Sequence, residues 1–283
     1  MRDSFLADRA GLATRHHATL RPDWRQRARV MGGIAVVIAI YIAGLVELEI
    51  SPARILAGMD RLGDIVWLML PPVPASTGRA VIYLDALGQT LAIAFLGTAA
   101  AAVLAVPFGF LAARNIVANA LLRLMLRRGL DTWRSVDTLI WALVWINVVG
   151  LGPFAGALAI MTADIPAFAK LMREAIETAD RRPVEGVLAA GGSRLAAIRF
   201  GIVPQVLPVL ASQVLYYFES NTRSATIIGI VGAGGIGLVL SEQIRVLEWQ
   251  EAAFIIGLVL VTVAIIDAAS QQLRAAIIGR AGV

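Results

Sequence analysis

Of 283 residues, 58% are hydrophobic and 16% charged, and the mean hydropathy is +0.76. Soluble domains run nearer about 45–50% apolar and 25% charged, so the composition points to an integral membrane protein. The absence of cysteine excludes disulfides, thiolate metal sites and cysteine nucleophiles, and the net charge of +5, which would suggest nucleic acid in a soluble chain, is read here as basic loops that orient helices, with no nucleic-acid partner.

Residues 1–30 form a basic N-terminal segment with seven Arg, in which His16 and His17 are read as solvated. No secretory leader is expected, because the arginines exceed what an n-region needs and no small-residue cleavage site follows the first apolar run. Residues 31–84 supply a first span, 31–46, and an external loop whose "LPPVP" no spanning helix would carry, with room for a short interfacial helix. The core is assigned to 85–273. It opens with a span over 87–113, kinked at Pro107, followed by a basic loop over 114–136 with five Arg. From Thr138 to about Leu171 the chain is apolar but too long for one crossing, and the turn signal "GLGP", Gly150 to Pro153, divides it in two. A polar stretch follows, then a fifth span from Ile202 to about Phe218, a Gly-rich region, a sixth span near 252–272 and a tail over 274–283.

The expected fold is therefore all-α, with about six transmembrane helices of roughly 20 residues each. Six crossings put both termini on one face. That face collects 1–30, 114–136, 170–200 and 274–283, which hold 20 of the 25 basic residues, and the positive-inside rule makes it cytoplasmic. No internal repeat is visible, which counts against a transporter built from inverted repeats.

"EGVLAAGGSRLAAIRFGIVP", residues 185–204, lies on the cytoplasmic side in this topology. At helical spacing Leu188, Leu195 and Ile198 share one side while Glu185, Arg194 and Arg199 stay at its edges. Gly191, Gly192 and Ser193 break the run, so two short helices with a bend are expected. An ordinary interfacial helix and a knob offered to a soluble partner both fit these features.

The spacing resembles the cytoplasmic loop of permease subunits of bacterial ABC importers: Glu-Ala-Ala, three residues, Gly, nine residues, Ile-x-Leu-Pro. Here Glu185, Gly191 and Pro204 are in register, whereas both alanines and the isoleucine are replaced and the leucine is Val203. "IWALVWINVVGLGPFAGALA" (140–159) and "TIIGIVGAGGIG" (226–237) resemble the phosphonate branch, and the likeness covers roughly 85–272. It implies a type I, methionine-importer-like permease fold in the inner membrane. It also implies a second copy of the chain, two cytoplasmic ATPase subunits that bind ATP and Mg, and an external substrate-binding protein delivering phosphonate, phosphite or a phosphate ester. The loop at about 180–204, with Glu185, Gly191, Gly192, Arg194 and Pro204, would then couple the ATPase to the membrane helices.

Gly232-Ala-Gly234-Gly235-Ile-Gly237 matches G-x-G-x-x-G after the strand-like "TIIGIV". A dinucleotide site is rejected, because no βαβ context surrounds it and no acid follows about 20 residues on. Close helix packing and a break near the pathway are the two readings kept. A P-loop needs a lysine before Ser or Thr, and the single lysine, Lys170, precedes Leu; no cofactor is expected on this chain.

In "FESNTRSAT" (218–226), Glu219, Asn221 and Arg223 fall near the external end of the fifth span. Glu219 and Arg223 can pair at i,i+4. Alternatively Arg223, alone or with Asn221, meets an anionic substrate near the gate, since a guanidinium matches phosphoryl oxygens. The rival functions are a methionine or other small-solute permease and a membrane-embedded enzyme. Asp137, Asp164 and Asp267 are isolated along the chain and give the enzyme no catalytic set.

Overall fold

A computed structural model describes residues 24–281; the N-terminal segment up to residue 23, with His16 and His17, lies outside the described residues. Two units divide the chain near residue 66. The first carries α1 (Trp24–Glu47), which at 24 residues is long enough to cross a bilayer, and α2 (Pro52–Leu68), where the sequence left a loop with a short helix. Arg54 closes the turn between them on Glu49 at 2.6 Å.

The second unit is built on α3 (Thr77–Ala112) and α6 (Pro153–Thr178). α3 starts ten residues before the expected span, capped by Ser76, whose Oγ accepts from the Arg79 N–H at 3.2 Å. Gly97, Ala101, Ala105 and Gly109 place a small residue at every fourth position of α3, which lets α6 come in close. A Cβ on Gly97 would lie 2.8 Å from Ile160, and one on Gly109 the same distance from Met172. Ile93 faces Gly156 and Arg114 reaches Glu177 in the same register, so the two helices run parallel.

Parallel neighbours require the chain between them to return the whole height of the bundle. It does so as two pieces, α4 (Ala120–Arg134) and α5 (Thr138–Val149), broken at Ser135–Asp137. At one end Arg127 donates to the Ala112 carbonyl at 2.8 Å and to Glu177 at 2.6 Å. Half-way up, Leu130 and Trp133 pack with Ala101, Ala105, Ile165 and Phe168. Beyond the break Ala142 packs with Ile93, Ala94 and Ile160, and Trp145 Nε1 donates to Thr162 Oγ1 at 2.9 Å. Five described helices are long and apolar enough to cross a membrane, and α5 alone, at 12 residues, is not; the remaining crossing is the α4–α5 pair. The basic loop expected over 114–136 is thus corrected to a helix: Arg123 and Arg127 direct their charge to backbone carbonyls and Glu177, which a count of arginines does not reveal.

After α6 the chain makes α7 (Arg182–Ala189) and a single turn, α8 (Arg194–Ala197), then passes through a π turn at Ile198–Ile202 into α9 (Val203–Ile228). α9 runs antiparallel to α6 in a fixed register: Gln205 with Asp180, Tyr217 with Phe168, Asn221 with Asp164. A second π turn at Gly229–Ala233 leads to α10 (Ile236–Arg245), and α11 (Trp249–Ala281) closes the unit against α9, α10 and the start of α3. No strand occurs among the described residues, and "TIIGIV", read as strand-like, is the end of α9 and its π turn.

The close approach of α3 and α6 predicts that Gly97→Leu or Gly109→Leu destabilises the purified protein by about 1–3 kcal/mol through overpacking. Gly88→Leu, whose Cβ meets nothing within 4 Å, is expected to leave the thermal midpoint unchanged. Melting curves of the three variants in one detergent check this.

Candidate functional site

The stretch 185–204 folds as a hairpin of two short helices. Gly191 has φ +82°, and its neighbour Gly192 donates to the Val187 carbonyl at 2.9 Å in a position where a Cβ would strike Val187. Ser193 Oγ caps α8 by accepting from Ala196 N at 3.2 Å, and Pro204 sits in the first turn of α9, directly after the π turn. Glu185, Arg194, Leu195, Arg199 and Phe200 face outward. The inner side is anchored: Gly201 meets Val184, while Gln205 donates to the carbonyls of Asp180 at 3.1 Å and Gly201 at 2.6 Å and accepts from Asp180 N at 2.9 Å. Below it Ile202 and Val206 pack with Met172 and Ile176. The hairpin is therefore fixed to the end of α6 and the start of α9.

At the opposite end of the bundle the glycine segment forms a junction. Gly232, Gly234 and Gly235 have φ of +106°, +80° and +74°, which L side chains rarely adopt. The Gly232 carbonyl accepts from Gly152 N at 3.0 Å, joining the segment to the "GLGP" turn, and Gly234 abuts Pro153. Gly235 sits against Thr90, whose Oγ1 accepts from Ile236 N at 2.8 Å; Gly237 lies against the Thr226 carbonyl. The backbone breaks here, and it breaks where three elements touch. Beside it an open cavity of about 380 Å³ is lined by Leu151, Gly152, Val231, Gly232, Ser241 and Arg245.

Glu219, Asn221 and Arg223 are not at the end of a span. α9 continues to Ile228, and Asn221 lies level with Thr98, midway along α3, and with Asp164. Hydropathy falls at these polar residues, so the sequence ended the span early, whereas the helix absorbs them. Asn221 is buried; its amide donates to Thr98 Oγ1 at 2.8 Å and to Asp164 Oδ2 at 2.5 Å. Its donors are engaged inside the bundle, which corrects the expectation that they meet a substrate. Asp164, isolated in sequence, is brought into the same network. Glu219 is also buried and accepts from two arginines, Arg223 and Arg274 of α11, each at 3.4 Å. Arg223 keeps 51% of its side chain exposed on an outer stripe of α9 with Val209 and Tyr216, stepping seven residues at a time.

A third polar cluster had no sequence signal beyond its residue types. Glu251, 3% exposed, accepts from Ala75 N at 3.1 Å, from Arg79 and from the Tyr83 hydroxyl, while Arg79 also donates to Gln243 at 3.1 Å. It ties the starts of α3 and α11 to the end of α10.

The Asn221 network predicts that Asn221→Leu, which strands Asp164 without its donor, costs about 1–3 kcal/mol. Thr98→Val, which leaves the Asn221–Asp164 bond in place, is expected to cost less. The double variant Asn221→Leu with Asp164→Leu should recover part of the loss, and thermal unfolding of the four proteins measures the coupling.

The chain was compared with known proteins. Residues 105–275 match the family described as binding-protein-dependent transport system inner membrane component. The putative phosphite transport system permease protein HtxC of Stutzerimonas stutzeri is 35% identical over 91% of this chain and 90% of its own length. The phosphite transport system permease protein PtxC of the same organism is 34% identical over 89% of each. The phosphate-import permease protein PhnE of Mycolicibacterium smegmatis is 35% identical over 90% of this chain, which spans 47% of that protein. Among solved structures, an inward-facing MetNI methionine ABC transporter superposes with a TM-score of 0.63 at 21% identity, over 71% of this chain and 99% of that one. The methionine transporter shares the fold, and α6, the hairpin and the glycine junction all fall within the matched family segment. The chain belongs to the binding-protein-dependent transport system inner membrane components: it is a permease subunit of an ABC importer, not an enzyme.

Proposed function

We propose that the chain forms, with a second copy of itself, the translocation pathway of an importer for phosphorus oxyanions such as phosphite, phosphonate or a phosphate ester. The names of its relatives support the substrate class. The observation within the molecule that carries it is Arg223: a guanidinium half exposed at mid-bundle depth is costly against lipid and instead suits a wet path for an anion, where its planar fork matches phosphoryl oxygens. Glu219 does not neutralise it alone, because that carboxylate is shared with Arg274.

The hairpin over 180–204 is the surface for a cytoplasmic ATPase that binds ATP and Mg, and the opposite end receives an external binding protein. On this orientation the Arg114, Arg127 and Glu177 cluster lies at the cytoplasmic surface, and the positive-inside count assigns both termini to that side. ATPase movement at Glu185 would reach α6 and α9 through Val184, Gly201 and the Gln205–Asp180 pair. The glycine junction would act as the outer gate, since Gly232, Gly234 and Gly235 permit a backbone break there.

Reconstituted with its ATPase and binding protein, the chain should take up phosphite or a phosphonate on addition of ATP. Arg223→Ala should lower uptake at least tenfold, with Arg223→Lys recovering part of it. A charge exchange between Glu219 and Arg223 is expected to fail whatever Arg223 does, because it would set a second guanidinium directly beside Arg274; Glu219→Gln is the informative partner variant. Undiminished uptake by Arg223→Ala would remove that residue from the path.

For the hairpin, Glu185→Arg is expected to leave assembly in the membrane intact while separating ATP hydrolysis from uptake. Parallel assays of both rates test it, and wild-type values in each would refute a coupling role for Glu185.

A further inference from the structure

The break between α4 and α5 holds donors without acceptors. Arg134, the last residue of α4, is exposed and has no hydrogen bond or ion pair among the described residues. Its neighbour Trp133 packs with Ala101, Ile165 and Phe168, so Arg134 lies at the depth of that cluster with its own side chain exposed. The buried indole N–H groups of Trp133 and Trp141, whose rings lie 6.4 Å apart across the break, also lack acceptors, as does the buried Nε of Arg173 on α6. Lys170, half-buried on α6, has no partner among the described residues. α4 and α6 run antiparallel, with Arg127 on Glu177 and Leu130 in one cluster with Ala169; this brings Arg134 level with the stretch from Ile165 to Lys170.

The carboxylates nearby are not paired with Arg134 or Lys170 among the described residues: Asp164 is buried and receives the Asn221 amide, Asp137 caps α5 by accepting from Leu139 N at 2.8 Å, and Asp131 makes no ion pair. Glu174 is bonded to Arg173 through the other end of that guanidinium. Uncompensated cations at membrane depth mark pathways, and a broken membrane helix is where transported ions are commonly held. The C-terminal end of α4 also favours a cation at Arg134. From Arg223 the set continues two to three helical turns toward the hairpin end, since α9 and α6 keep one register along their length.

We propose that the α4–α5 break and the adjoining side of α6 form a second, inner station for the anion in transit, with Arg134 and Lys170 supplying the charge. The proposal rests on the reading that this chain carries an anion, and deepens it by naming where the anion goes after Arg223.

The chain has no cysteine, so single cysteines can be introduced directly. In the assembled transporter in vesicles, Ala167→Cys, three residues before Lys170, is exposed to a negatively charged and to a positively charged methanethiosulfonate of similar size. Labelling is read from the intact mass of this chain. A thiolate in a water-filled cationic site displaces methanesulfinate faster from the anionic reagent. We expect at least a fivefold preference for it, abolished by Arg134→Gln with Lys170→Gln, and no labelling of Val103→Cys on the apolar outer side of α3. No labelling at Ala167→Cys, or labelling without charge preference, overturns the proposal.

Arg134→Leu is expected to keep or raise thermal stability, because it removes an unpaired charge, yet to lower uptake at least tenfold. Uptake equal to wild type overturns the proposal as well. Wild-type phosphite uptake in the same vesicles is judged separately: if it is absent while the anionic reagent is still preferred, the phosphorus substrate is wrong and the inner anion station stands.

Discussion

The parallel contact between α3 and α6 sets the rest of the structure. Once Gly97, Ala101, Ala105 and Gly109 let α6 approach at a constant register, the connection between them has to traverse the bundle. In hydrocarbon, helices gain nothing from hiding apolar surface from water, so close packing of small residues and interhelical hydrogen bonds must hold them. The bundle uses both. Small residues zip α3 to α6, and Asn221 pins α9 to the same pair by bonding Thr98 and Asp164. The return crossing is the element that yields: it breaks at Ser135–Asp137 and carries four arginines, Arg123, Arg127, Arg128 and Arg134.

Much of this was legible in the chain. Hydropathy located the long spans because apolar length is a direct demand of the bilayer, and the hairpin at 185–204 was readable because Gly191, Gly192 and Ser193 interrupt a helical pattern with residues suited to a bend and a cap. The small-residue ridge was present in "LGTAAAAVLAVPFG", yet alanine-rich sequence hides a four-residue period among other small residues. Three features were not legible. The crossing through α4 looked like a loop, since a count of arginines does not say that Arg127 is consumed by the Ala112 carbonyl and Glu177. The level of Asn221 was misjudged because polarity alone does not distinguish a buried network from a helix end. The Glu251 cluster joins residues more than 160 positions apart, a separation to which no local pattern refers.

The resemblance to ABC importer permeases rested on spacing more than on letters, and the fold explains why spacing matters there. Gly191 must take a positive φ, Gly192 has no room for a Cβ, and Pro204 falls where the π turn passes into α9. The alanines of the family pattern have no such constraint in this chain. Gly186, which stands in for one of them, has nothing within 4 Å of where its Cβ would be, so a side chain is tolerated there.

α9 runs between the hairpin and the glycine junction. It is bounded by two π turns, Ile198–Ile202 and Gly229–Ala233, the only such turns among the described residues. π turns interrupt the regular hydrogen-bond ladder and recur at functional sites; here one adjoins the hairpin and the other is the glycine junction. Between them α9 is continuous for 26 residues, roughly 39 Å. On the proposed reading, displacement of the hairpin end would pass through Val184 and the Gln205–Asp180 pair and along α9, which carries Pro208 in its interior, to its far end, where the backbone breaks at Gly232 and Gly234. The Asn221 network lies about two-thirds of the way along and ties the rod to α3 and α6, so rotation of α9 about its own axis is resisted more than rocking about that point. Rocking would move Arg223, on the free face just beyond the pin, by less than it moves either end. On the proposed reading, the anion contact stays nearly fixed while the ends that open and close travel furthest.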